Sequence, residues 1–344
     1  MCQEPAAKRV KPSVPKRPNP AAQRLRSLLA QPGVCHQVPC CYDGLSAKLI
    51  SRAGFDISFM SGFSVAGSHG LPDTQLLSYA DMVGALGTIV DASPAGFPVV
   101  GDGDNGYGNA VNTKRTVQGY AKAGAAMIMV EDQVLPKRCG HTKGKAVVGF
   151  DEAVARVRAA CDARDEGGYD ILVLARTDAR GTHDMAEALR RCAAFRAAGA
   201  DATFLEAPLS VAEMREYCGA IDGPKMANML EGGKTPLLRP EELREIGYSF
   251  AVYPLTLLSS AIKAMEAALA LLKEGQSAEP LLCPFEHVKD TVGFPEYVRH
   301  VCSLLATDLL VLSRSYTYSC DSLTSLLVCC RVDQYDEDDR YKTT

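Results

Sequence analysis

The chain has 344 residues, 47% of them hydrophobic and 23% charged, with a formal net charge of -4 and a pI near 5.9. That composition excludes the disordered, collagen-like and coiled-coil classes, and its mild acidity argues against a nucleic-acid-binding face over the whole molecule. The longest apolar stretch, Tyr248 to Leu272, is broken by Lys263 and Glu266 and falls short of the roughly 18 uncharged residues that a spanning helix needs, so no membrane partner is expected. Thirteen cysteines at irregular spacings, with no CxxC pair, read as reduced thiols and predict a cytoplasmic protein.

Residues 1–22 carry Lys8, Arg9, Lys11, Lys16 and Arg17 among prolines, which predicts a mobile basic tail. A solvated tail is the preferred reading; nuclear import through AAKRVK, or import into a plastid or mitochondrion, stays open. From 23 to 275, eight short apolar runs alternate with stretches of helical period. The runs are Gln37 to Cys41, Asp56 to Met60, Phe97 to Gly101, Ala126 to Val130, Asp170 to Ala175, Ala202 to Leu205, Pro224 to Ala227 and Tyr248 to Tyr253. Eight strands alternating with helices over this length predict an α/β protein with a (β/α)8 TIM-type barrel; an open doubly wound sheet is the competing topology.

Six of these runs end in polar groups: Ser61-Gly62, Asp102, Glu131-Asp132, Arg176-Thr177-Asp178, Glu206 and Asn228. In a barrel the C-terminal strand ends share one mouth, which predicts an active site there. Asp102 and Asp104, two apart on extended chain, point the same way, and with Glu131 and Asp73 they form a set of oxygen ligands suited to Mg²⁺, with Mn²⁺ as the variant. The run Gly101-x-Gly103-x-x-Gly106 matches a dinucleotide fingerprint only literally, since its aspartates would face a pyrophosphate. An EF-hand loop also fails, because Thr113 stands where the bidentate Glu belongs. Further on, Cys139 lies between Lys137-Arg138 and His141. Flanking cations predict a lowered thiol pKa and a catalytic cysteine, and the nearby glycines predict a mobile lid.

Taken together, Ser61-Gly62-Phe63, Gly70-Leu71-Pro72-Asp73, the Asp102 to Gly108 run, Glu131-Asp132-Gln133, Lys137-Arg138-Cys139-Gly140-His141, Arg176-Thr177-Asp178 and Glu206-Ala207-Pro208 resemble the isocitrate lyase and phosphoenolpyruvate mutase superfamily. The resemblance is strongest to the branch of methylisocitrate lyase and petal death protein. It implies that Ser61 and Gly62 hold a substrate carboxylate, that Asp102 binds Mg²⁺ directly, and that Asp73, Asp104 and Glu131 hold the metal's waters. Arg176 would grip a carboxylate, while Glu206 and Asn228 would bind the remaining polar groups. Cys139, with Lys137 and His141 in its loop, would protonate a carbanion. Tyr42 is a candidate for the hydroxyl proton or for orientation only, and Phe63 with Tyr253 to Thr256 shapes selectivity. The implied activity is Mg²⁺-dependent retro-aldol cleavage of a 2-hydroxy di- or tricarboxylate, a small-molecule carboxylate substrate. Hydrolysis of oxaloacetate or an acylpyruvate is the alternative; phosphonate chemistry and an inactive binding barrel rank lower.

Leu258, Ile262, Met265, Leu269 and Leu272 form a helix-on-helix seam. The resemblance implies that this C-terminal helix is exchanged between subunits of a homotetramer, a dimer of dimers. Beyond it, 276–297 reads as a C-terminal helical segment, 298–331 as an atypical apolar insertion of intron-like or splice-variant origin, and 332–344 as an acidic tail.

Overall fold

The computed structural model describes residues 14–139, 144–301 and 303. The chain runs α1 (Pro20–Leu29), β1 (His36–Cys41), α2 (Gly44–Arg52), β2 (Ser58–Met60), α3 (Gly62–Ser68), α4 (Tyr79–Ala92), β3 (Val99–Asp102), α5 (Ala110–Lys122) and β4 (Met127–Glu131). It continues through α6 (Phe150–Glu166), β5 (Leu172–Thr177), α7 (Ala179–Thr182), α8 (Met185–Ala197), β6 (Ala202–Leu205), α9 (Val211–Ala220), β7 (Lys225–Asn228), α10 (Pro240–Ile246), β8 (Phe250–Tyr253) and α11 (Thr256–Lys273). All neighbouring strands are parallel, and β8 returns to β1 with His36 opposite Phe250 and Pro39 opposite Tyr253. The sheet therefore closes, and the open doubly wound alternative is excluded. All eight apolar runs became strands, their ends displaced by two residues or fewer.

Alternation along the strands builds two layers. Cys40, Phe59, Met127, Met129, Leu174, Phe204, Met226 and Phe250 form one cluster inside the barrel. Their strand neighbours Cys41, Met60, Ile128, Val130 and Val173 face outward onto α2, α4, α5 and α6 through Ile50, Leu86, Val117 and Val157. Gly101 in β3 leaves room for a helix side chain: a Cβ there would lie 2.8 Å from the ring of Tyr120.

The expectation of a mobile tail through residue 22 needs correction, because order begins earlier. Arg17 N–H donates to Gly168 O at 2.7 Å. Asn19 caps α1, its side chain accepting from Ala22 N–H and donating to Ala125 O at 3.0 Å, and Pro20 occupies the first turn where its missing N–H costs nothing. Ala21, Ala22, Leu25 and Leu29 then join the barrel's interior cluster, which α1 closes from below. The basic cluster Lys8 to Lys11 lies outside the described residues.

From Gly275 the chain forms a second unit. It contains a 3-10 turn, Glu279–Leu281, then α12 (Phe285–Val292), ended by Gly293 at φ 101°, and helical chain over 294–301. Apart from its first residues, the expected insertion 298–331 lies outside the described residues, as does the tail 332–344. No helix among the described residues is long and apolar enough to cross a membrane.

Candidate active site

The C-terminal strand ends converge on one cavity. Its polar side is formed by Ser61, Asp73, Asp102, Glu131, Lys137, Arg138, Cys139, Arg176, Glu206 and Asn228. Phe63, Leu230, Pro254 and Leu255 also line it, together with Cys40, Phe59, Met129, Phe204, Met226 and Val252 from the barrel's interior cluster, which form its floor.

Asp102 ends β3 with its carboxylate fixed by backbone. Oδ2 accepts Gly62 N–H at 3.0 Å and Oδ1 accepts Asp104 N–H at 3.1 Å. In this structure the Gly62 N–H is thus directed at Asp102. Gly62 also supplies space: a Cβ there would sit 2.7 Å from Asp102 Oδ2. Ser61 lines the cavity while its hydroxyl caps α3, accepting from Ser64 N–H.

Lys137 is placed differently from its reading as a neighbour of the thiol. Its ammonium reaches into the acid group, 2.9 Å from Asp73 Oδ1 and in contact with Asp104 Oδ1. Burial pushes the Asp104 carboxyl up to about 6 against the pull of Lys137, with Asp102 and Asp73 adding to the rise. Burial likewise raises Glu131, opposed by Arg176 and Lys137. Lys137 is kept charged despite its own burial by Asp104, Asp102, Asp73 and Glu131.

The four acids do not form a direct ligand set, which corrects the simple cluster reading. Among the described residues no three His, Cys, Asp or Glu side chains lie close enough to hold an ion. A cation bound through one carboxylate with a water shell does fit. Each Asp102 oxygen takes one backbone N–H and keeps a further acceptor site, and Asp102 lines the cavity. The buried oxygens of Glu131 have no hydrogen-bond donor among the described residues, only the ion pair of Oε2 with Arg176 Nε at 3.3 Å. A hydrated Mg²⁺ supplies donors of the kind such oxygens lack.

Arg176 projects from β5 over the Phe204 ring, 5.2 Å from its centroid. Its guanidinium grips Asp178 at 2.8 and 3.2 Å and reaches Glu206 Oε2 at 3.2 Å. Asn228 Nδ2 stands 3.4 Å from both Glu206 oxygens. Burial opposes ionisation of Asp178, but Arg176 and Lys145 overcome it and hold its carboxyl well below the usual range.

The loop bearing Cys139 rises between two stems that pair as an antiparallel ribbon. Val134 N–H donates to Ala146 O at 3.0 Å and Val148 N–H to Asp132 O at 2.9 Å. Arg156, from α6, donates to Glu131 O and Gln133 O and fixes the first stem. On the cavity side, Lys137 N–H donates to Gln75 Oε1 and Arg138 N–H to Gln133 Oε1. His141 lies outside the described residues.

Of the expected residues, Gly62 and Asp104 lie behind the lining, and Tyr42, Tyr253 and Thr256 are also not part of it. Tyr42 is half-buried after β1, and the Thr256 hydroxyl donates to Glu231 Oε1 at 2.6 Å instead. Several residues had not been anticipated. The floor was legible in principle, because Phe59, Met129, Phe204 and Met226 each stand two positions before a mouth residue and share its face. Gln75 was not, since nothing marks a loop glutamine as the partner of Asn105, with which it exchanges amide hydrogen bonds of 2.7 and 3.1 Å.

Residues 25–273 match the family model described as phosphoenolpyruvate phosphomutase. The chain belongs to the phosphoenolpyruvate mutase/isocitrate lyase superfamily. It is 41% identical over 284 residues to 2,3-dimethylmalate lyase of Eubacterium barkeri, covering 81% of this chain and 96% of that one. It is 42% identical over 238 residues to petal death protein of Dianthus caryophyllus, with 69% and 74% coverage. Against 2-methylisocitrate lyase of Bacillus subtilis the identity is 36% over 279 residues, with 80% and 90% coverage. Among solved structures, oxaloacetate acetylhydrolase bound to 3,3-difluorooxalacetate superposes with TM-score 0.80 at 31% identity, covering 84% of this chain and 98% of that one. Phosphonopyruvate hydrolase in complex with oxalate and Mg²⁺ gives TM-score 0.72 at 26% identity, with 82% and 97% coverage. The expected superfamily, barrel and enzyme class thus hold: the protein is an enzyme of the superfamily's lyase group.

Proposed function

We propose that the protein is a Mg²⁺-dependent carbon–carbon lyase that cleaves a 2-hydroxy di- or tricarboxylate, of the 2-alkylmalate or 2-methylisocitrate kind, into a 2-oxo acid and a second carboxylic acid. The observation that carries this reading is that Asp102, Arg176 and Cys139 line one cavity. The names of the lyase relatives support it.

In this reading Asp102 holds the cation directly, while Asp73, Asp104 and Glu131 orient its waters. Bound Mg²⁺, or Mn²⁺ in its place, supplies Lewis-acid stabilisation of negative charge on the substrate's oxygens. Arg176 binds a substrate carboxylate through the guanidinium that Asp178 holds from behind. Glu206 and Asn228 receive the remaining polar groups. The C2 hydroxyl gives its proton to a carboxylate of the cavity as C2 becomes a carbonyl, the bond between C2 and C3 breaks with its electron pair left on C3, and Cys139 delivers a proton to that carbon. Phe63, Leu230, Pro254 and Leu255 offer an apolar wall to the substituent on the departing half.

Hydrolysis of oxaloacetate is the second reading, favoured by the structural likeness to oxaloacetate acetylhydrolase. The test is a screen of hydroxy- and ketodiacids with MgCl₂. A 2-oxo acid with succinate or propionate supports the lyase; oxalate with acetate supports the hydrolase.

We also propose a homotetramer. The stripe Ile262, Met265, Leu269 and Leu272 on α11 is 45 to 63% exposed, and none of the helix's residues is buried within the chain. Light scattering after size exclusion reads the assembly directly, and a monomer at micromolar concentration contradicts it.

A further inference from the structure

Behind the cavity wall, Lys145 Nζ lies 2.7 Å from Asp178 Oδ1, with side chains 3% and 0% exposed. Neither residue lines the cavity. The same Asp178 carboxylate grips Arg176 through both oxygens, so one carboxylate joins two cations, of which only Arg176 reaches the cavity. Asp178 is itself held in place: its N–H donates to Asp132 Oδ1 at 3.0 Å, and Asp132 Oδ2 accepts from Thr177 Oγ1 at 2.6 Å and Arg191 Nη1 at 2.9 Å. The path of Lys145 is reserved by Gly181 in α7, where a Cβ would come within 2.6 Å of Lys145 Cε and 2.9 Å of Nζ. Lys145 adjoins Ala146, whose carbonyl receives Val134 N–H, so it stands at the start of the returning stem of the Cys139 loop.

An ion pair this buried is no efficient source of stability, since the desolvation of both charges offsets most of their attraction. It does fix geometry. We infer that Lys145 is a positioning residue which, through Asp178, sets the direction of the Arg176 guanidinium and so links the returning stem of the Cys139 loop to the subsite for the substrate carboxylate. The inference rests on the proposed reading of Arg176 as the carboxylate ligand. If Asp178 loses its second cation, it recentres on Arg176 alone, and the guanidinium turns from the cavity.

Calorimetric binding of oxalate to the full chain in MgCl₂ tests this link. Lys145→Met is expected to weaken oxalate ~10-fold, within the usual size of a coupling between sites, with Mg²⁺ affinity unchanged. In an Asp178→Asn background the same substitution is expected to add less than about twofold, because the two residues act as one unit. A purely structural role would instead lower oxalate and Mg²⁺ affinity together. Wild-type oxalate affinity in Lys145→Met, fully additive effects, or a parallel loss of Mg²⁺ binding each overturn the inference. So does failure of both Lys145→Met and Lys145→Gln to fold. Arg176→Gln separates the two levels of the argument. If that variant binds oxalate normally, the reading of Arg176 is wrong; if it binds weakly while Lys145→Met binds normally, only the link fails.

Discussion

Cys139 and Lys137 are two residues apart in sequence, yet they serve different parts of the site. From sequence, the lysine reads as an activator of the thiol because adjacency along the chain is all that is visible. The fold turns its ammonium into the acid group, where Asp73 and Asp104 receive it. Cys139→Ala is therefore expected to lose at least ~10²-fold in kcat, the low end of what a positioned acid supplies, with oxalate affinity and unfolding midpoint unchanged. Wild-type turnover would remove the acid role. Lys137→Met leaves buried carboxylates without their cation and is expected to cost about 3–5 kcal/mol in urea unfolding, whereas a substitution of a mere thiol neighbour would leave stability intact. Asp178 adds a pH signature. Its folded pKa lies below its unfolded value, so its contribution to stability is present above about pH 4 and is lost as pH falls from there. The stability gap between wild type and Asp178→Asn should be widest near neutrality and narrow in acid; a gap that widens on acidification contradicts the assignment. The mouth residues were legible because each ends an apolar run. Asp178's two cations were not, since Lys145 comes from a loop 33 positions away.

At the scale of elements, strands were easier to read than what flanks them. Each strand is an apolar run bounded by turn residues, and its interior face repeats every second position. The first helix was hidden by the prolines and basic residues around it, which resemble a tail in composition. Only the barrel's open lower end explains why Ala21, Ala22, Leu25 and Leu29 are buried. Leu25, 1% exposed, is the measurable consequence. Leu25→Ala should destabilise by about 2–5 kcal/mol, the range for a large-to-small change in a closed core, and chemical denaturation gives the value. A change below about 0.5 kcal/mol, the level of an ordinary surface substitution, would contradict the packing of α1 into the barrel's interior cluster.

For the whole molecule, eight strands in about 250 residues predicted the barrel, but closure itself was not in the sequence. It depends on β8 meeting β1, a pairing of residues more than 200 positions apart. Closure also brings the six strand ends onto one cavity, and the central claim of Mg²⁺-dependent carbon–carbon cleavage follows from that convergence. The most direct test is product analysis by NMR of the Mg²⁺-loaded full chain incubated with 2,3-dimethylmalate and 2-methylisocitrate. The account predicts pyruvate with propionate or succinate, and neither product in EDTA or from Asp102→Ala. Undiminished turnover in EDTA, or no cleavage of either acid while oxaloacetate yields oxalate and acetate, would contradict it.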